Sequence, residues 1–193
     1  MTAPTPDRAE TLLRFLRAAD MMERLPRAGY VMSQVQNPEN LAAHSYHVAL
    51  TAMLLADEVE GPVDKGKVLR MALMHDLPET FIMDLPRPTQ HYIGEEAIAR
   101  GEARAAEELL SPLGRDYLAL WREAEEKRTL EARIVAAADK IQLMVKVLEY
   151  EAARRGDLRR FWENQYNFPD YGIPQAKALF EAIRRARETQ GQG

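Results

Sequence analysis

The longest helical pattern in the chain, residues 130–156, most constrains how the chain can fold. The segment reads LEARIVAAADKIQLMVKVLEYEAARRG, and its apolar residues recur every three or four positions, which is the period of an α-helix. They form one stripe, which consists of Ile134, Ala138, Ile141, Val145 and Leu148. The sequence has no strand-like alternation of useful length and no internal repeat. The pattern therefore predicts an all-α protein with a single domain.

Prolines and glycines divide the rest of the sequence into further helical segments. Residues 1–6 read as a frayed tail, and we expect one domain over residues 7–190. The core of that domain spans about residues 12–150, and a C-terminal helical extension follows over residues 151–190.

Three places interrupt the helical periodicity. Residues 26–41 contain Gly, Asn and Pro punctuation and are predicted to form a loop. Residues 84–90, DLPRPTQ, are also predicted to form a loop, because two prolines are separated there by one residue. Pro78 lies inside the third helical segment, so we expect that helix to kink or loosen at this point.

Composition excludes several classes of protein. The chain contains no cysteine, so a metal ion must be held by His, Asp or Glu. A net charge of −4 argues against broad binding to nucleic-acid polymers. No run approaches the ~18 apolar residues of a transmembrane helix, and the start MTAPTPDRAE lacks a signal peptide. We therefore expect a cytoplasmic protein that does not interact with membranes.

The apolar segment MALMHDLPETFIMDLPRP, residues 71–88, contains an unusual cluster of ionisable side chains. His75, Asp76, Glu79 and Asp84 lie close together, and no basic residue precedes Arg87. Such groups cost free energy on an apolar segment unless a positive charge compensates them. Either a basic side chain from elsewhere in the chain or a bound ion must supply that charge.

Asp139 raises the same question within the most apolar helix. No basic residue lies one helical turn away from it, and Lys140, although adjacent in sequence, is expected to point elsewhere around the helix. One divalent cation would satisfy Asp139 together with His44, His75 and Asp76, a mixed N/O set that suits Mn, Fe, Co, Ni or Zn. The alternative is a buried polar network in which His75 forms a hydrogen bond with a carboxylate.

The order of these residues resembles the HD-domain phosphohydrolase superfamily. The run HDLPETFIMDLPRP is similar to the pattern HD-x-x-E-x-x-x-x-D-[LI]-x-P of bacterial 5′-deoxynucleotidases and of the related eukaryotic HD domain-containing protein 2. The upstream segment RAGYVMSQVQNPENLAAHSYHV resembles the loop that leads into the first histidine ligand of that group. The resemblance extends from about Leu12 to Leu148.

The resemblance implies a helical HD-domain bundle with a metal site between its core helices. One divalent ion (Mn, Co, Fe, Ni, Zn or Mg) is expected there, with ligands from His44, His75, Asp76 and Asp139. Glu79 is the implied catalytic acid or base, since proton transfer needs a carboxylate near the metal ion but not bound to it.

The resemblance also implies a set of substrate-binding residues. Asp84 corresponds to the residue that contacts the sugar hydroxyl, and Arg27 is expected to hold the phosphate, because a guanidinium matches two phosphate oxygens. Tyr30 stands where related proteins usually have a Trp that excludes the ribose 2′-hydroxyl. This difference leaves the sugar and base preference open. Arg87 is either a second phosphate contact or a solvated surface residue.

The implied activity is metal-dependent hydrolysis of (deoxy)nucleoside 5′-monophosphates to nucleoside and phosphate. Two alternatives remain: another HD phosphohydrolase activity, on dNTPs, alarmones or cyclic nucleotides, or a metal-bound helical interaction module without turnover. Family members commonly form homodimers. The apolar stripe of the last helix either forms such an interface or packs on the core of its own chain; it consists of Ala176, Leu179, Phe180 and Ile183.

Overall fold

A computed structural model of the chain describes residues 7–190 and is helical throughout, without a β-strand in that range. The predicted all-α fold is therefore confirmed, whereas the expected tail, residues 1–6, lies outside the described residues. The α-helices are α1 (Arg8–Ala19), α2 (Ala28–Met32), α3 (Leu41–Glu58), α4 (Lys65–Met74), α5 (Glu79–Ile82), α6 (Arg87–Ile93), α7 (Glu95–Leu110), α8 (Arg115–Glu126), α9 (Leu130–Ala152), α10 (Arg159–Glu163) and α11 (Pro174–Gln190). Short 3-10 helices span Asp20–Arg24, Ser111–Leu113 and Gln165–Asn167.

Helices α3, α4 and α9 pack against one another and form the centre of the core. The stripe predicted on α9 is buried except at Val145, which is 42% exposed. Met144, one position earlier, is fully buried instead. An α-helix turns about 100° per residue, so neighbouring positions point in different directions, and here Met144 rather than Val145 faces the core. None of the helices in the described range is long and apolar enough to cross a membrane.

The start of α3 is fixed by a cap and by a short antiparallel pairing. The side chain of Asn40 accepts a hydrogen bond from the backbone N–H of Ala43, which satisfies one of the free donors of the first turn. Asn40 also pairs with Pro26 in an isolated β-bridge. The backbone N–H of Arg27 donates to the carbonyl of Glu39 at 3.0 Å. This pairing brings Arg27 beside the first turn of α3, which carries His44.

The chain reverses direction after α4. The α4 helix ends at Met74, and α5 begins only after Pro78, so the helix stops where a kink was expected. Met83 then adopts a positive φ of 70°, a conformation that a residue with a side chain adopts only when the surrounding structure holds it there. The reversal returns Asp84 towards Ala28, with which its carboxylate forms a hydrogen bond.

Both predicted loops contain a helix. Within residues 26–41 the chain forms α2, and residues 87–90 belong to α6, which continues to Ile93. The loop prediction for residues 84–90 was wrong in this part because Pro88 lies in the first turn of α6, where a proline needs no backbone N–H donor.

The last helix packs on its own chain. Ala176, Phe180 and Ile183 of α11 are buried, and α11 lies against α9, whereas Leu179 remains 40% exposed. Most of the stripe that was considered as an interface thus belongs to the core.

Candidate active site

The imidazoles and carboxylates singled out as metal ligands converge at the centre of the three core helices. His44 comes from α3, His75 and Asp76 follow the last turn of α4, and Asp139 belongs to α9. The Nε2 atom of His44 lies 3.3 Å from Oδ2 of Asp76 and 3.4 Å from Oδ1 of Asp139. Nε2 of His75 lies 3.3 Å from Oδ1 of Asp76. His44, His75 and Asp76 each offer a ligand atom within 4.8 Å of the others, whereas Asp139 lies outside this group and approaches it through His44.

The outer nitrogen of each imidazole is already engaged. Nδ1 of His75 lies 2.7 Å from the carbonyl of Ala72, and Nδ1 of His44 lies 2.7 Å from Oε1 of Gln142. A carbonyl oxygen only accepts, so Nδ1 of His75 carries a proton. The inner Nε2 atoms of both rings are buried, and within residues 7–190 neither has a hydrogen-bond partner.

Two buried imidazole nitrogens without a hydrogen bond, facing two carboxylates, fit a divalent cation. Buried polar atoms are normally paired, and an exception needs an explanation such as a missing ion. The N/O donor set is of the kind that transition metals and Zn²⁺ accept. The alternative network is less satisfactory, because His75 approaches Asp76 without forming a hydrogen bond.

The electrostatics of His44 support this interpretation. Burial and the charge of Arg27 disfavour a charged imidazole, but the carboxylates of Asp139 and Asp76 outweigh both effects and raise the pKa of His44 to about 9. Without a metal ion, the site therefore retains a proton on His44. The two carboxylates require a positive charge at this point, and an imidazolium supplies it when no other cation does.

The two aspartates remain ionised for different reasons. Burial disfavours the charged form of both, but the positive charges around Asp76, those of His75, His44 and Arg27, hold its pKa well below the usual range. Burial would also raise the pKa of Asp139. The positive charge of Lys140 is the largest effect that lowers it, and the pKa of Asp139 is held well below its ordinary value.

Lys140 is a residue of the site that the sequence analysis missed. Its Nζ lies 2.9 Å from Oδ2 of Asp139, so the expectation that it points elsewhere around the helix was wrong. The flexible stem of a lysine lets its ammonium group reach a carboxylate on the preceding residue. No periodicity argument would have shown this, because adjacent helix positions point in different directions.

Arg27 supplies the positive charge that the segment from Met71 to Pro88 lacks. Its Nη1 donates to Oδ2 of Asp76 at 3.1 Å and lies 3.7 Å from carboxylate oxygens of Glu79 and Asp84. The side chain is 15% exposed and reaches the cluster from the segment before α2. A basic side chain from elsewhere in the chain thus compensates one part of the cluster, and the Nε2 atoms of His44 and His75 make another part suitable for a cation.

Glu79 and Asp84 differ in how their carboxyl groups are held. Oε2 of Glu79 is buried and has no hydrogen-bond partner in the described part of the chain. When no ion is bound, burial and the negative charge of Asp76 raise the pKa of Glu79 to about 10, which favours the protonated form of its carboxyl group. Asp84 instead accepts a hydrogen bond from the backbone N–H of Ala28 at 2.7 Å.

Tyr30 and Arg87 are the two remaining residues that were predicted to bind the substrate. Tyr30 lines the cleft but is 1% exposed, and its hydroxyl donates to the carbonyl of Leu143 at 3.2 Å. Its ring lies 5.4 Å from that of Phe161. The side chain of Arg87 lies outside the described part of the structure, so its role stays a prediction.

A cleft of about 450 Å³ adjoins the ionisable cluster. Asp76, Glu79 and Asp139 line it, and so do Phe161 and Asn164. This volume is in the usual range for a small-molecule site. The cleft can therefore hold a small ligand whose charged group meets the cluster.

Comparison with known proteins decides the family. The family model for the HD domain matches residues 19–175. This chain belongs to the HD-domain family. The resemblance inferred from the His, His-Asp and Asp pattern is thereby confirmed, and so is the expectation of an HD-domain bundle.

The relatives of this HD domain include curated enzymes and solved structures. It is 30% identical to the human 5′-deoxynucleotidase HDDC2 over 91% of the chain and 87% of that protein. Its identity to the 5′-deoxynucleotidase HDDC2 of Xenopus laevis is 33%, with 93% and 89% covered. A crystal structure of a predicted metal-dependent phosphohydrolase from Magnetospirillum magnetotacticum superposes with a TM-score of 0.71, at 26% identity and 98% coverage of both chains.

Proposed function

We propose that this HD domain is a metal-dependent phosphomonoesterase that hydrolyses (deoxy)nucleoside 5′-monophosphates to nucleoside and phosphate. The observation that carries the proposal is the pair of buried Nε2 atoms, of His44 and His75, that face Asp76 and Asp139 without a hydrogen bond. The relatives named 5′-deoxynucleotidase support the class of substrate.

One divalent ion would be held by His44, His75, Asp76 and Asp139, and Mn, Co, Fe, Ni, Zn and Mg are the candidates. When bound, such an ion polarises a phosphoryl oxygen and makes water a stronger nucleophile. The family and the donor set support a requirement for a divalent ion. Which of these ions is bound must be measured.

Arg27 and Lys140 bind the phosphate in this proposal. Both line the cleft that adjoins the ionisable cluster. The carboxylates around Arg27 hold its guanidinium in one orientation, and a planar guanidinium donates to two phosphate oxygens at once. Lys140 adds a second positive charge beside Asp139.

Glu79 transfers the proton that the reaction needs. When the P–O5′ bond breaks, the nucleoside leaves as an alkoxide unless O5′ takes up a proton. Burial favours the protonated form of Glu79, so its carboxyl group can donate this proton and take one from the attacking water. Its buried Oε2 lacks a competing hydrogen-bond partner in the described structure, which keeps the group available for this role.

Asp84 and Tyr30 are proposed to contact the sugar. Asp84 lies next to Arg27, and only one of its oxygens accepts from Ala28, so the other can accept from a sugar hydroxyl. Tyr30 contributes its ring to the cleft rather than its hydroxyl, which is engaged with Leu143. Arg87 as a second phosphate contact, the homodimer and the cytoplasmic location remain predictions.

Chromatographic analysis of the hydrolysis products provides the test. We expect nucleoside and phosphate from nucleoside 5′-monophosphates with at least one of the six divalent ions, and no hydrolysis of nucleoside triphosphates or cyclic nucleotides. Asp76→Asn should abolish activity, whereas Asp116→Asn, a change of the same kind on the exposed face of α8, should leave it intact. Activity restricted to triphosphates or cyclic nucleotides would indicate a different HD phosphohydrolase. No product from any of these nucleotides with any ion would instead favour a metal-bound interaction module.

A further inference from the structure

A buried carboxylate lies behind His44, on the side away from the cleft. The side chain of Glu39 is 3% exposed, and no step of the proposed reaction uses it. Nε2 of Gln142 donates to its two oxygens at 3.1 and 3.0 Å, and Nζ of Lys146 lies 3.5 Å from Oε2. Burying a carboxylate costs free energy unless partners compensate its charge, so the buried position of Glu39 needs an explanation.

The backbone fixes where this carboxylate lies. Glu39 directly precedes Asn40, the cap of α3, and its carbonyl accepts from the backbone N–H of Arg27. Its own backbone N–H donates to the hydroxyl of Tyr150 at 2.8 Å. The carboxylate therefore meets Gln142 from one fixed direction.

This arrangement determines which end of the Gln142 amide faces His44. An ionised carboxylate only accepts hydrogen bonds, so Gln142 must turn its NH₂ group to Glu39 and its carbonyl oxygen to His44. The contact of 2.7 Å between that oxygen and Nδ1 of His44 then requires a proton on Nδ1. The ring is left with Nε2 as the nitrogen that can bind an ion.

The two histidines differ in the group that keeps the ring proton on Nδ1. His75 faces the backbone carbonyl of Ala72, which offers an acceptor and no alternative. His44 faces an amide, and a reversed amide would present a donor to Nδ1 and favour a proton on Nε2 instead. A ring with its only proton on Nε2 cannot coordinate an ion through that atom.

We propose that Glu39, acting through Gln142, is a positioning residue of the metal site that keeps Nε2 of His44 open to the ion. The inference rests on the proposed metal ion but not on the proposed reaction. Groups that orient a metal-bound histidine typically change metal affinity by about 10- to 100-fold when they are lost.

The test uses the isosteric change Glu39→Gln in the full chain. An amide at position 39 can either donate or accept, so Gln142 is free to reverse, and we expect zinc to bind about 10- to 100-fold more weakly. Exchanging the two groups, in the double variant Glu39→Gln/Gln142→Glu, should restore affinity. The new carboxylate at position 142 accepts from Nδ1 of His44, and the new amide at position 39 donates to it.

A control variant and a spectroscopic readout separate positioning from stability. Glu151→Gln removes a carboxylate from α9, the helix that carries Gln142. Glu151 pairs there with Arg187 at 2.9 Å, away from His44, and its replacement should leave zinc affinity unchanged. Nitrogen-15 spectra of the zinc-loaded protein should show the proton of His44 on Nδ1 in the wild type and the double variant. In Glu39→Gln the spectra should also show a population of His44 rings that carry their proton on Nε2 and are not bound to zinc.

Wild-type zinc affinity in Glu39→Gln would overturn the inference, even if that variant unfolds at a lower temperature. A double variant that binds zinc as weakly as the single variant would also overturn it, because the orientation of the amide would then not be the cause. A wild-type protein that binds no divalent ion would overturn the proposed function as well, so the two failures can be told apart.

Discussion

Arg27 is the residue on which the charge balance of the cluster depends. It contacts Asp76 and lies within 3.7 Å of Glu79 and Asp84, all three of which come from a segment without a base of its own. Its position before α2, paired with the start of α3, is what allows one guanidinium to face three carboxylates. The same residue thus serves the stability of the cluster and the binding of phosphate.

Replacing Arg27 with Met should lower the free energy of unfolding by about 3 kcal/mol, because mostly buried carboxylates lose their partner. Arg24→Met is the matched control, since Arg24 pairs with Asp20 on the surface and should cost about 0.5 kcal/mol. Urea titration measures both. Equal losses in the two variants would contradict the role assigned to Arg27.

The pKa values of His44 and Glu79 predict how the stability of the metal-free protein depends on pH. The folded-state pKa of His44 is about 9 against an ordinary value of 6.5, and that of Glu79 is about 10 against 4.5. Between pH 6.5 and 9 the folded protein therefore binds more protons than the unfolded chain, so stability decreases as pH rises. Urea midpoints after chelation should fall across this window, and Glu79→Gln should reduce the fall. A midpoint that rises with pH would contradict these shifts.

At the scale of single elements, α9 contributes three residues of one helical turn to the site. Asp139 and Lys140 face the ionisable cluster and the cleft, and Gln142 contacts His44 from behind. The start of α3 is equally important, because His44 lies in its first turns and Asn40 caps it. The precision of the site therefore depends on where helices begin as well as on the residues they carry.

Removal of the α3 cap should affect both stability and metal binding. Asn40→Ala is expected to cost about 1 kcal/mol of unfolding free energy and to weaken metal affinity, because the first turn holds His44. Asp64→Ala removes the comparable cap of α4, whose first turn carries no ligand, and should lower stability alone. Calorimetric metal titration of both variants distinguishes them. Unchanged affinity in Asn40→Ala would show that the cap does not support the site.

Sequence patterns identify the proposed metal ligands more readily than the residues that contact and orient those ligands. His44, His75, Asp76 and Asp139 stand out because such residue types on apolar helices need compensation, and a family pattern places them in order. Glu39 escaped notice because nothing in a local pattern shows that a loop carboxylate becomes buried. The contacts of Lys140 and Gln142, and the helix after Pro86, likewise depend on how distant segments meet.

At the scale of the whole molecule, the site joins the three helices that form the core. The proposed ligands come from α3, from the two residues after α4 and from α9, and these three helices also pack against one another. A bound ion therefore links the same elements that the apolar core links. Stability and metal binding should be coupled through the entire domain.

Metal removal should consequently lower the stability of the whole domain in one transition. At a free-ion concentration of one hundred times Kd, binding to the folded state alone adds about 2.7 kcal/mol. Thermal unfolding with and without chelator measures the difference. Identical midpoints, or loss of only one helix on chelation, would contradict a site at the centre of the fold.

Anomalous diffraction from crystals grown with manganese tests the central claim most directly. The account predicts one manganese peak among Nε2 of His44, Nε2 of His75 and the carboxylates of Asp76 and Asp139, at about 2.0–2.3 Å from its ligand atoms. A peak elsewhere, or no peak between these four side chains at saturating manganese, would contradict it.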